Sequence, residues 1–345
     1  MEIIINKKEL DLPSITKAGI ATAGETNSVL VTAETSLLGG LRYEIPCTIK
    51  QEGEVMFYSQ DISKAFSVLK NEITIKSTTT NVYISDGDIT FKEKRLTGEA
   101  AYFPKYENIN VNTVDLDALL SAMDVAMPSS DYGCLIESRG DVVSFVGTDR
   151  IELRKVDIPV TSGYHPFYLV IREKHMKDLM KFIANVKETR ENHEVSIVNS
   201  ASHLIIHQNT WEYGIPHWNV KFPPYQALVD GLSATGGLML DIQHATRALE
   251  CALVKSRDIL LTKESDGTYL SASSEDSGSF EPYKVSGNEL PLKKIKLNGR
   301  RLLEGIRHYT GFSGSKEVTI EFQKDDLSPV FIKGGGYTYI LAPMV

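Results

Sequence analysis

Ile62, Ala65, Phe66 and Leu69 stand at i, i+3, i+4 and i+7, the spacing that keeps one helix face apolar. The spacing returns at Met176, Leu179, Met180 and Ile183, and again at Leu302, Gly305, Ile306 and Tyr309. After each helix the period changes to two, as expected of half-buried strands. The first set is Ile73-Thr74-Ile75, Val82-Tyr83-Ile84 and Ile89-Thr90-Phe91. The second is Val195-Ser196-Ile197, Leu204-Ile205-Ile206 and Trp211-Glu212-Tyr213, and the third Val318-Thr319-Ile320, Val330-Phe331-Ile332 and Tyr337-Thr338-Tyr339-Ile340. Each series ends near a proline. Phe103-Pro104-Lys105-Tyr106 recurs as Phe222-Pro223-Pro224-Tyr225, and Pro343 stands at the third position.

A second helix is expected to open each unit: near Leu10 to Ile20, where Pro13 and Gly19 weaken it, at Leu116 to Met127, and at Ile242 to Val254. Hairpins lie between the helices, across Arg139-Gly140 and across Asp266-Gly267. A repeat of this size is a whole domain rather than a solenoid turn. The fold class is α+β, largely antiparallel, in three similar domains: 1–110, 111–230 and 231–345.

Composition narrows the function. The apolar fraction of 42% and charged fraction of 24% are those of a soluble globular chain. No stretch reaches the roughly 20 apolar residues of a membrane span, and the opening Met1-Glu2-Ile3-Ile4-Ile5-Asn6 reads as strand, not signal peptide. Cys47, Cys134 and Cys251 are too few and too scattered for a disulfide framework, so a reducing cytoplasm is expected. The net charge of −8 argues against a uniformly basic nucleic-acid binder but leaves room for one basic face.

Basic residues do gather on the repeated helices. Lys174, Lys177 and Lys181 form a stripe away from the apolar face, Arg300 and Arg307 are seven apart, and Lys64 and Lys70 flank the first helix. Any one of these is ordinarily a solvated face. Three equivalent placements in an acidic chain point to a shared anionic ligand, and a phosphate backbone needs only spaced Lys and Arg. The helix from Leu116 breaks the pattern with Asp115, Asp117 and Asp124.

Catalytic signatures are missing. Gly311-Phe312-Ser313-Gly314-Ser315-Lys316 has the wrong spacing for a phosphate loop and is expected as a turn before a strand, and Gly334-Gly335-Gly336 as a hairpin loop. His203 and His207 share a strand face without further metal ligands nearby in sequence. No cofactor, metal or enzymatic activity is expected.

Thr148 to Leu153, Phe222 to Tyr225, Leu297-Asn298, and Ser328 to Val330 with the tail Tyr339 to Val345 resemble segments of the bacterial DNA polymerase III beta subunit, the sliding clamp. Thr148-Asp149-Arg150-Ile151-Glu152-Leu153 resembles that family's Thr-Asp-Gly-His-Arg-Leu segment, departing from it at Arg150, Ile151 and Glu152. Phe222 to Tyr225 resembles its Phe-Pro-Asp-Tyr, and Leu297-Asn298 its Phe-Asn at the last helix. Ser328-Pro329-Val330 and the tail Tyr339 to Val345 resemble its closing strands, with Ala342 where Met is common and the usual following residues missing. These departures suggest a divergent clamp, such as that of a phage or plasmid. The resemblance implies three domains with two helices each, and a head-to-tail homodimer closed around duplex DNA. It also implies a hydrophobic pocket between the second and third domains, where polymerase, clamp loader and repair proteins dock linear peptides. Carried over by position, that pocket uses Thr148, Leu153, Pro223, Leu228, Asn298, Pro343 and Met344, with Arg150 and Ile151 on its rim; Lys64, Lys70, Lys174, Lys177, Lys181, Arg300 and Arg307 face the DNA. The alternative expectation is a clamp-fold adaptor or decoy that binds replication peptides without encircling DNA. An enzyme with a spatially assembled site is the third.

Overall fold

The computed structural model describes residues 1–6, 15–22, 28–35, 39–58, 65–66, 68–70, 72–96, 103–104, 106, 110–127, 132–186, 193–276, 278–288 and 290–344. The chain begins β1 (Glu2–Asn6), β2 (Ile15–Thr22), β3 (Ser28–Thr35), β4 (Gly40–Gln51), β5 (Glu54–Tyr58), β6 (Glu72–Ser77), β7 (Asn81–Ser85) and β8 (Thr90–Lys94). It continues with β9 (Val111–Asp115), α1 (Leu116–Ala126), β10 (Cys134–Ser138), β11 (Val142–Thr148), β12 (Glu152–Ser162), β13 (Phe167–Ile171), α2 (Glu173–Val186), β14 (Glu194–Asn199), β15 (His203–Gln208) and β16 (Trp211–Pro216). It ends with α3 (Tyr225–Asp230), β17 (Gly236–Asp241), α4 (Ile242–Leu253), β18 (Asp258–Glu264), β19 (Gly267–Ser274), β20 (Gly278–Ser286), β21 (Lys294–Asn298), α5 (Gly299–Ser313), β22 (Glu317–Phe322), β23 (Val330–Gly334) and β24 (Tyr337–Leu341).

The residues group into two compact units, one of 1–120, 138–142 and 159–219, the other of 121–137, 143–158 and 220–345. In the first unit an antiparallel sheet runs β5-β2-β3-β4-β16-β15-β14-β9. The far end of β4 turns into a second sheet, β4-β1-β6-β7-β8. In the second unit, β17-β22-β23-β24-β12 form one sheet and β20-β19-β18-β21 another.

One pairing series recurs. The order β1-β6-β7-β8 returns as β9-β14-β15-β16 and as β17-β22-β23-β24, each built from strands eight apart in the chain. The last strand of the second series, β16, pairs with β4, and that of the third, β24, pairs with β12.

The helices bury the stripes that their spacing dictates. On α2, Met176, Leu179 and Ile183 are at most 1% exposed, and on α5 Leu302, Leu303 and Ile306 are buried. Asp241 and Asn298 cap α4 and α5, each accepting a backbone N–H three residues on.

Two expectations need correction. Ile15 to Ile20 is strand β2, not helix: Pro13 and Gly19 weaken a helix there, and main-chain bonds to both β3 and β5 favour the extended form. Gly311 to Ser313 is the last turn of α5 rather than a loop, and Gly314 ends the helix in the left-handed conformation at φ 62°. Ile62, Lys64 and the caps Ser59 and Asp61 lie outside the described residues. Gly334 to Gly336 does form the β23–β24 hairpin, all three at positive φ.

Candidate partner-binding site

The turn joining β11 to β12 is held by its own side chains. Thr148 Oγ1 donates to the Glu152 carbonyl at 2.7 Å and accepts the Arg150 N–H at 3.2 Å. Asp149 Oδ1 accepts the N–H groups of Ile151 at 3.0 Å and Glu152 at 2.9 Å. These bonds hold Arg150 at φ 74°, a left-handed conformation that glycine adopts freely and that other residues adopt at a cost of about 1–2 kcal/mol. This is where the resembled segment carries Gly. The exposed Arg150 guanidinium lies 5.2 Å from the Tyr132 ring centroid and its Nε donates to the Tyr132 hydroxyl.

The end of the chain is pinned to this turn. Leu341 pairs with Glu152 and Ile340 with Leu153. The Ala342 N–H then donates to the Ile151 carbonyl and the Met344 N–H to the Lys296 carbonyl, both at 2.9 Å. Pro343 and Met344 are thereby fixed between Ile151 and the strand that ends at Asn298. Thr148 and Leu153 are buried, whereas Ile151 is 49% exposed. Six of the nine residues expected in the pocket thus sit on two tethered segments. Asn298 caps the adjoining helix. Pro223 and Leu228 stand at α3, where Phe222 and Tyr225 are buried, the Tyr225 hydroxyl donates to Glu137 on β10, and Leu228 is 42% exposed.

Beneath the turn is a charged cluster that sequence reasoning did not find. Arg154, 4% exposed, donates through Nη2 to Glu152 at 2.8 Å and to Glu304 at 2.9 Å. Glu152 Oε2 accepts the Tyr339 hydroxyl at 3.0 Å. Arg301 Nη1 lies 2.6 Å from Asp149 Oδ2 and 3.5 Å from Glu152 Oε1, as an ion pair without hydrogen-bond geometry. Burial raises the Glu152 carboxyl above the usual range, outweighing Arg154. Burial acts the same way on Asp149, but the Glu152 N–H, Arg301 and the Ile151 N–H outweigh it and hold that carboxyl low. Burial lowers Arg154, and Glu152 and Glu304 more than restore it, so it stays charged. Beside the cluster a cavity of about 440 Å³ is lined by Met127, Asn298, Arg257 and Arg300 together with the charged residues just named.

The basic helix residues occupy different settings. Lys174, Lys177 and Lys181 are exposed on α2, Lys177 paired with Glu173. The Lys70 N–H donates to Asp86 and its Nζ is 4.0 Å from Asp88. Arg307 is exposed and paired with Glu250. Asp117 and Asp124 are exposed on α1. Among the described residues no group of three His, Cys, Asp or Glu is placed to hold a metal, and His203 and His207 are engaged separately with Ser202 and the Tyr106 ring. No described helix is long and apolar enough to cross a membrane.

The architecture is thus one strand series used three times along the chain, with its last strand twice joined to a long strand of the series before it. No protein-family model and no curated protein matches the chain by sequence. Solved structures do match it. The DNA polymerase III beta subunit of Thermotoga maritima is 16% identical with a TM-score of 0.81, over 100% of this chain and 99% of its own. The Pseudomonas aeruginosa DNA polymerase sliding clamp crystallised with a ligand is 18% identical at 0.82, and the beta subunit from the Streptococcus pyogenes DNA polymerase 15% identical at 0.82, each over all of both chains. The fold is that of the DNA polymerase III beta sliding clamps.

Proposed function

We propose that the chain is a processivity clamp made of three domains, 1–110, 111–230 and 231–345, two copies of which close head to tail around duplex DNA. The observation that carries this is the joint used twice within the chain. β16 pairs with β4 and β24 with β12, in each case the last strand of one series with the long strand of the series before it. The same rule leaves β8 and β20 as the next pair. Among the described residues each has one strand partner, β7 and β19. They cannot meet by the same rule within one copy without closing the chain on itself, but they meet twice in a dimer. A heterologous contact that closes makes a ring. The Lys174–Lys177–Lys181 stripe then serves sequence-independent contact with phosphates. Effective concentration replaces affinity once a tethered polymerase is held on its template. The clamp acts in the cytoplasm and does no chemistry.

Polymerase and clamp-loader peptides dock at Thr148, Leu153, Pro223, Leu228, Asn298, Pro343 and Met344, with Arg150 and Ile151 at the rim. Apolar walls supply area and few polar groups set direction.

Sedimentation tests the ring. The wild-type chain is expected near twice 38.3 kDa, and Lys92→Pro in β8 is expected to yield monomers that no longer stay on circular DNA. A wild-type monomer at micromolar concentration overturns the ring and leaves the adaptor. For the pocket, Pro343→Ala with Met344→Ala is expected to weaken a polymerase-derived peptide at least tenfold with the dimer intact; unchanged affinity refutes the pocket.

A further inference from the structure

Resting on the peptide-docking role proposed above, we infer that the arginine-lined cavity beside the pocket is a specificity subsite for an acidic side chain of the docked peptide. The lining carries four guanidinium groups, of Arg154, Arg257, Arg300 and Arg301, against three carboxylates, of Asp149, Glu152 and Glu304. The carboxylates are engaged. Asp149 is taken by two N–H groups and Arg301, Glu152 by Arg154 and Tyr339, and Glu304 by Arg154.

The donors are not all engaged. Arg300 is exposed and in no ion pair among the described residues, and Arg257 has only a 3.7 Å contact to Asp258, which Lys296 holds more closely at 3.1 Å. Asn298 accepts the N–H of Arg301 on its side-chain oxygen, which leaves its NH2 group as the part able to meet a ligand, as a donor. With the two inner carboxylates, Asp149 and Glu152, engaged and the donors of Arg257 and Arg300 spare, the site takes an acceptor, and two guanidinium groups favour an ionised one.

Position argues for a peptide rather than a phosphate of DNA. The cavity shares Asp149 and Glu152 with the turn that anchors the chain end, and Asn298 with the pocket itself. A peptide lying across Ile151 and Pro343 reaches it with a side chain. This gives Arg300 a different task from the DNA contact expected of it. Met127 is the one apolar side chain in the lining and offers contact to the side chain's methylene groups.

The test uses the full-length chain and pairs of fluorescent polymerase-derived peptides that differ only by Glu or Gln at successive positions flanking their apolar anchors. At one position Glu is expected to bind about tenfold tighter at low salt. Arg300→Gln and, separately, Arg257→Gln are expected to reduce that ratio to about twofold. Equal affinity of Glu and Gln peptides at every position, with both bound, overturns the subsite while leaving the pocket standing. Failure of every peptide to bind removes the pocket and the subsite together. If Arg300→Gln leaves the ratio intact and instead shortens retention on circular DNA, Arg300 serves phosphate and the inference falls.

Discussion

The two joints inside the chain use the same backbone plan and opposite chemistry. At the first, Arg42 faces Glu212 across β4 and β16, with its guanidinium 4.6 Å from the Phe103 centroid and its side chain 40% exposed. Tyr106 donates to the same Glu212. At the second, Arg154 lies in the matching place on β12, one residue after Leu153 as Arg42 follows Leu41, but it is buried among Glu152, Glu304 and Tyr339. The glycines explain part of the divergence. Gly40 pairs with Gly214, and Pro104 packs on both so closely that an added methyl would come within 2.7–2.9 Å of its ring. The corresponding pair of the second joint is Glu152 with Leu341, whose side chains leave no such seat for a proline. The first Phe-Pro phrase therefore seals its joint. The second is anchored instead through Tyr225 to Glu137, and the chain end crosses the turn in its place.

Removing the arginine tests this contrast most strongly. Arg154→Met takes the closest cation from buried Glu152, which keeps only the Tyr339 hydroxyl and Arg301 at 3.5 Å, and from Glu304, whose half-exposed side chain turns to water. Removing one partner of a buried pair costs about 3–5 kcal/mol. Urea unfolding of the second unit should show a loss of that size. A loss under 1 kcal/mol would mean that the cluster is no more than a surface pair and would erase the distinction between the joints.

That cluster also marks where the sequence stopped being legible. The stripe of α2 could be read because Met176, Leu179 and Ile183 answer to one local period. Thr148, Pro343 and Asn298 could be placed in one neighbourhood through resemblance. Arg154 answered to neither. Its acidic partners lie two and 150 residues away in the chain, and its burial follows from strand pairing with β24. Strand β2 was hidden for a similar reason, since its form is fixed by β3 and β5 rather than by its own composition. The repeated Leu-Arg at 41–42 and 153–154 was the one available signal.

Acid should separate the units next. In the first unit His175 on α2 is buried, and burial, then Arg172, Lys174 and His203, push its pKa down to about 4. The folded form therefore binds its proton later than the unfolded form, whose histidine titrates near 6.5. Stability is complete above about pH 6.5 and falls as the pH drops toward 4, by on the order of 3 kcal/mol. His207 and His217, lowered mainly by burial, add to the same trend. Both tryptophans, Trp211 and Trp218, belong to this unit, so their fluorescence reports it. His175→Gln should flatten the decline; an unchanged slope would place the acid sensitivity elsewhere.

The glycine seat can be filled. Gly214→Ala puts its methyl 2.7 Å from Pro104 and 3.3 Å from Ile205, an overpacking expected to cost about 1–3 kcal/mol. Pro104→Ala in the same chain should return part of it, since the ring is what the methyl meets. Absence of that rescue would show that the phrase does not seal the joint.

The smallest effect belongs to the first joint's own arginine. Arg42 loses one partly exposed ion pair and one ring contact in Arg42→Met, each worth up to about 1 kcal/mol, and the thioether side chain keeps much of the packing on Phe103. Glu212 is not left alone, because the Tyr106 hydroxyl still donates to it at 2.7 Å. A loss of about 1 kcal/mol, reduced further in high salt, is expected in the fluorescence transition of the first unit. A loss matching that of Arg154→Met would mean that both joints depend on a charge held out of water, and that the 342–344 segment crossing the turn alone distinguishes the second.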